Sequence, residues 1–293
     1  MKLVMFSVSG ETPRAGLLQD EGVYDLEVSD ILDGLDKAKA SQGKPGGQLY
    51  KLEEVRLHAP TPHPPTFRDF FAYEEHVANA RRNNNRGEVP KQWYEIPVFY
   101  FSNPHAMYGP DEAVPYPRGC QQLDCEFEWA LVIGKDGRNI PAAQADEYIA
   151  GFMLLNDWSA RDFQMQEVAV GLGPAKGKDF ATSVGPYLLT PDELADCYEN
   201  GRYNLASVWR LNGKEKSHNN TNTQHYTFAQ CIVRASANTW VRRGDVIGSG
   251  TLGNGCLFEE GPAKERWLQA GDVIELEIER LGILRNTIGP SED

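Results

Sequence analysis

Glu126-Phe127-Glu128 places two carboxylates two residues apart. On a strand such residues point to one face, where like charges repel. The sequence that follows, Trp129-Ala130-Leu131-Val132-Ile133-Gly134, has the character of a buried strand. Two buried like charges are costly unless a cation compensates them. An exposed strand face is the plainer alternative. A third acid, Asp157, follows the apolar run Tyr148–Leu155. The end of a buried strand is a good place from which to face a site, and the start of the next helix is the competing reading. Ser159 is suited to cap that helix, and Arg161 and Gln164 would share one of its faces.

Asp69 and His76 stand seven residues apart. On a continuous helix over Phe67–Arg82 they would lie two turns apart on nearly one face. A structural histidine is the competing reading. Lys178, in Gly177-Lys178-Asp179, follows a glycine-rich stretch and is otherwise a solvated loop lysine. Gly250–Glu259 is a glycine-rich loop that could cradle an anion, although no clear helix follows it.

The elements that must position these groups are mostly strands. Residues 1–58 read as small antiparallel hairpins with a short helix over Asp30–Lys39. Four prolines in Ala59–Thr66 suggest a boundary between a small N-terminal β domain, 1–58, and a larger unit, 59–293. A rigid loop within one domain is the alternative. Beyond it, Cys125–Gly134, Ile149–Leu155, Tyr187–Thr190, Ser207–Leu211, Val246–Gly250 and Val273–Ile278 read as strands. Ala142–Tyr148 and Ser159–Glu167 read as short helices. This is a strand-rich α+β pattern rather than a doubly wound one.

Composition narrows the function classes. The 293 residues are 41% apolar and 24% charged, as in a globular chain. Lys plus Arg is 29 against 42 Asp plus Glu, a net charge of −13, which disfavours nucleic acid as a partner. The five cysteines are odd in number and none are spaced C-x-x-C. They support neither a disulfide framework nor a zinc ribbon, and reduced thiols imply a cytoplasmic setting. No run approaches the roughly 18 apolar residues of a membrane span, and the N-terminus lacks a signal-peptide core, so no membrane partner is expected.

Taken together, the motifs resemble the fumarylacetoacetate hydrolase family. The resemblance runs from Phe67 to Gly289 through E-x-E within Cys120–Gly134, LLNDWSARDFQ at Leu154–Gln164, Gly177-Lys178-Asp179-Phe180, LNGKEKSHNNTNT at Leu211–Thr223, GDVIGSGT at Gly244–Thr251 and Leu268–Gly289. It implies a mixed β-sandwich roll and a divalent cation on Asp69, Glu126, Glu128 and Asp157. All-oxygen donors select a hard ion, with Mg²⁺ expected and Mn²⁺ or Ca²⁺ as alternatives. The resemblance also implies that His76 activates water, that Glu259 orients it, and that Lys178 and Gln164 stabilise an oxyanion. Arg161 would hold a substrate carboxylate or neutralise the carboxylate cluster, and Tyr100 would contact substrate. Departures from the family pattern include Phe71 where a second substrate-contacting tyrosine would stand and a much reduced N-terminal region. The implied activity is metal-dependent hydrolysis of a carbon–carbon bond in a 1,3-dicarbonyl acid. The alternative is a 2-oxo acid decarboxylase, isomerase or dehydratase of aromatic or sugar-acid breakdown. A small oxo acid is the implied ligand and a homodimer the implied assembly. A non-catalytic metal-binding protein would lack acid–base groups, and none are missing.

Overall fold

A computed structural model describes residues 1–44 and 46–292. Among these residues the chain builds a 12-stranded mixed sheet. Its central strands, Ile149–Asp157 and Phe127–Ile133, pair antiparallel and are buried at every position. Such uninterrupted burial requires cover on both faces, and two cores supply it. Phe127, Trp129, Leu131 and Ile133 enter one core together with Trp209, Ile232 and Leu276. Ala130 and Val132, on the opposite face, join Leu3, Met5, Leu35 and Met153 in the other. The period-2 alternation of a strand therefore feeds two cores from one stretch of sequence.

The first core is closed by a five-stranded sheet, ordered Lys214–Asn220, Ala206–Leu211, Val273–Ile278, Gly282–Ser291 and Ala113–Tyr116. The second is closed by the N-terminal hairpins and by helix Ile31–Ala40. Asp30 caps that helix by accepting from Leu32 N and Asp33 N, and Lys37 and Lys39 lie in its last turn. Strand Lys2–Val8 pairs with Thr182–Leu189 through Lys2↔Leu189 and Leu3↔Leu188. The large sheet thus continues from the N-terminal hairpins into the rest of the chain, across the sequence position of the proline segment.

Three local readings are corrected. Phe67–Arg82 is not one helix: Phe67–Phe70 is a strand, and the helix is Glu74–Asn83. Phe67–Phe70 is buried throughout and pairs with Val246–Gly248 on one side and Phe99–Ser102 on the other, so sheet pairing decides its state. Asp69 and His76 consequently do not share a helix face. Ser159 does not cap the following helix, which begins at Arg161 after Ala160. It is buried, and its hydroxyl donates to Asp157 O at 3.0 Å. Helix Phe228–Ser236 was not foreseen, although Thr227 and Gln230 form the reciprocal capping box that marks a helix start.

Candidate active site

Four neighbouring strands bring the acidic residues together. Asp69 lies on Phe67–Phe70, opposite Gly248 of Val246–Gly248, whose next neighbour is the Glu128 strand. Asp157 ends the adjoining strand Ile149–Asp157. One oxygen from each of Asp69, Glu128 and Asp157 lies within 4.8 Å of the others. Gly248 makes the space: a Cβ there would collide with Asp69 Oδ1 and press on Glu128 Oε2 at 3.3 Å. All three acids are at most 2% exposed.

Burial pushes the carboxyls of Asp69 and Glu128 well above the usual range, and the neighbouring carboxylates push them further. Asp157 is raised too, first by burial, although Lys178 opposes the shift. Among the described residues, neither Asp69 Oδ1 nor Asp157 Oδ1 has a hydrogen-bond partner. Buried, crowded, partly unpartnered carboxylate oxygens are the donor set of a hard divalent cation, and the residues fit one.

Glu126 is placed differently. Lys178 Nζ bonds both Glu126 Oε2 and Asp157 Oδ2, and Arg161 Nη2 lies 2.7 Å from Glu126 Oε1. Burial opposes ionisation of Glu126, but Lys178 and Arg161 outweigh it and hold the carboxyl below the usual range. Burial likewise opposes the charge on Lys178, and Asp157 and Glu126 more than restore it. The four acids expected at the metal thus separate into a three-carboxylate cluster and an ion-paired Glu126 beside it. Tyr100 donates to Asp157 Oδ2 and, at 3.3 Å, to Asp69 Oδ2.

His76 sits in the first turn of helix Glu74–Asn83. Its Nδ1 is 2.7 Å from Glu259 Oε1, and both residues are buried. Glu259 Oε2 accepts from Asn254 N at 2.7 Å and Asn79 Nδ2 at 3.2 Å, and Oε1 accepts from Gly255 N at 3.1 Å. Phe71 meets the His76 ring edge-on at 5.3 Å. The glycine-rich loop does cradle anions, but they are the protein's own. Gly250 N donates to Glu128, Asn254 N and Gly255 N to Glu259, and Leu257 N and Phe258 N to Asp124.

Two lobes of a cleft join these groups. One, of about 370 Å³, is lined by His76, Arg161, Arg86 and Phe258; the other, of about 280 Å³, by Asp69, Glu128, Tyr100 and Lys178. Phe71, Val98, Glu126 and Gln164 line both. His76 from one lobe, and Asp69 and Glu128 from the other, therefore face one apolar-walled cleft.

Sequence reasoning missed Asp124, Gly248 and Asn79. Asp124 had a readable signal, since Asp124, Glu126 and Glu128 continue one alternation through an apolar run. Gly248 had none: its role is an absence of side chain that only the sheet register reveals.

Residues 66–289 match the family model described as the fumarylacetoacetate hydrolase C-terminal domain. The mitochondrial oxaloacetate tautomerase of Xenopus laevis is 30% identical over 98% of this chain and 90% of its own length. The human mitochondrial oxaloacetate tautomerase is 35% identical over 68% of this chain, which spans 60% of that protein. Among solved structures, a probable 2-hydroxyhepta-2,4-diene-1,7-dioate isomerase from Mycobacterium abscessus superposes with a TM-score of 0.75 at 28% identity, covering 100% of both chains. A fumarylacetoacetate hydrolase from Exiguobacterium antarcticum does so with a TM-score of 0.76 at 25% identity, covering 99% of each. No described helix is long and apolar enough to cross a membrane.

Proposed function

The chain belongs to the fumarylacetoacetate hydrolase family, and from that premise we propose that it moves a proton next to the carbonyl of a small 2-oxo acid, as a divalent-cation-dependent tautomerase or isomerase. One observation carries this reading: His76, held by the buried Glu259, opens onto the same cleft as Asp69 and Glu128 of the carboxylate cluster. Glu259 takes the hydrogen bond from Nδ1, which fixes the tautomer and leaves Nε2 to accept a proton from the substrate carbon. Tautomerases and an isomerase among the relatives support the same chemistry.

Asp69, Glu128 and Asp157, with Glu126 beside them, would hold the cation, whose charge polarises a carbonyl and acidifies the adjacent carbon. Lys178 holds Glu126 and Asp157 in place, and Tyr100 steadies Asp157 and Asp69. Arg161 donates to Asp124 and Gln164 and pairs with Glu126. Of its two expected roles, neutralising the carboxylates suits this geometry better than holding a substrate carboxylate. Gln164 accepts from Arg161 through Oε1, so its amide N–H groups are left to donate to a substrate oxygen. Phe71, Val98 and Phe258 wall the cleft and exclude water from the transferred proton.

Hydrolytic cleavage of a 1,3-dicarbonyl acid is the second reading. The same histidine–glutamate pair supports it, because the pair can equally take a proton from water. Mg²⁺-loaded protein in D₂O, given oxaloacetate, 2-oxo-enoic diacids and acylpyruvates, separates the two by NMR. Deuterium entering beside the carbonyl without fragmentation marks proton transfer, and two product acids mark hydrolysis. Neither outcome across the panel would remove both readings.

A further inference from the structure

We propose that Asp124 is a positioning residue that ties Arg161 to the turn carrying Glu259. The carboxylate is fully buried. Its Oδ2 accepts from Arg161 Nε at 3.0 Å and Nη2 at 2.8 Å. A carboxylate needed only to neutralise the guanidinium would stop there. Asp124 also accepts from Leu257 N through Oδ1 and from Phe258 N through Oδ2, both at 2.9 Å.

Those two amides belong to the first turn of the short helix Leu257–Ala263, where N–H groups have no partner within the helix. Cys256, at the cap position, makes no side-chain bond to those amides, its thiol donating instead to Glu259 Oε1. Asp124, on the two-residue strand Leu123–Asp124, therefore supplies the cap. The next residue, Glu259, holds His76. On the other side, Arg161 fixes Gln164 at 3.0 Å and Glu126 at 2.7 Å. One carboxylate thus sets the base's orienting partner and the groups beside the cation site together. The amides of Asn254 and Gly255 that also hold Glu259 belong to its own loop, whereas Asp124 lies outside that loop, on a strand paired with Ser159–Ala160.

The inference rests on the proposed roles of His76 and Glu259, so its test carries a readout that needs no turnover. The buried Nδ1–H of His76 against Glu259 should give a low-field proton resonance, identified by its loss in His76→Ala. Asp124→Asn keeps the shape of the side chain but sets an NH₂ group against donors. It should abolish or shift that resonance, lower kcat and raise KM, and reduce kcat/KM by about 10–100-fold, the range for losing a group that orients functional side chains. Asp25→Asn, which breaks the remote Arg14–Asp25 pair, should cost stability and leave the resonance and kinetics as they were.

If Asp124→Asn does not fold, Leu257→Pro removes one of the two amides while leaving the carboxylate and Arg161 in place. Proline suits a first helical position, and Cys256 before it is extended, with φ −150 and ψ 158. Leu257→Ala controls for the lost leucine packing. The proline variant should perturb the resonance and the alanine variant should not. An unchanged resonance in Asp124→Asn, or in Leu257→Pro, overturns the inference. A parent protein that shows the resonance but acts on no oxo acid would instead overturn the proposed function and leave the positioning result standing.

Discussion

In the proposed chemistry His76 serves as a base only while Glu259 holds its Nδ1 proton, and Glu259 in turn accepts from two backbone amides and Asn79. Replacing His76 with Ala should slow the chemical step by about 10²–10⁴-fold and leave cation binding intact, as rapid-mixing kinetics beside metal analysis would measure. Glu259→Gln should slow it less, and the double variant should be little worse than His76→Ala, because the two act as one unit. A second expectation concerns protons. Asp69 and Glu128 have folded pKa values raised first by burial and then by neighbouring carboxylates, Asp157 acting on both. Raised carboxyls favour the fold below their unfolded values, roughly 4, and that contribution is lost as pH rises through the folded values. Metal-free protein should therefore lose stability as pH climbs above the ordinary carboxylate range. Mg²⁺ should bind more tightly over the same climb and release protons on binding, which calorimetry in two buffers of different ionisation enthalpy would detect. Glu128 and Asp157 were legible because charge within or at the end of an apolar run is costly and so conspicuous, whereas the roles of Asp69 and His76 were reached only through the family resemblance. Glu126 was legible as an acid of the site, but not its pairing with Lys178 and Arg161, which depends on segments 35 and 52 residues away in sequence meeting in space.

At the scale of elements, the register of four strands decides whether the carboxylates can meet. Gly248 stands between Asp69 and Glu128, so Gly248→Ala should drive a methyl group into the cluster. We expect Mg²⁺ affinity to fall at least about 10-fold, with a stability cost of about 1–3 kcal/mol for overpacking. Titration calorimetry and denaturant melts would measure the two separately; unchanged affinity would mean that the cation does not sit there. Strand Phe67–Phe70 shows where sequence reading failed and why. Asp69 and His76 have helical spacing, yet each belongs to a different element, and what brings both to the cleft is the turn between Phe70 and Glu74. The central strands were readable because burial on both faces leaves a continuous apolar run. The half-exposed strand Lys214–Asn220, written in lysine, glutamate, serine, histidine and asparagine, carries no such mark.

Across the whole molecule, a cation at the cluster should act as a ligand of the native state alone. At a hundred times its dissociation constant it should add about 2.7 kcal/mol, raising the melting temperature; a melt unmoved between chelator and excess Mg²⁺ would count against the site. The two cores set a further condition. Ala130, Val132, Met153, Leu155, Val184 and Leu188 pack against residues contributed by the first 58 positions, while the family match begins only at residue 66. A fragment cut to the matched region would keep every proposed catalytic group and still lie open along one side, with an apolar sheet face and the bare end of Thr182–Leu189 offered to any neighbour. Such a fragment should be sticky rather than inactive by chemistry, gathering into aggregates through edge pairing. For anyone minimising or recombining this scaffold, the N-terminal strands are less an appendage than the lid of the box that keeps its contents from meeting their own kind.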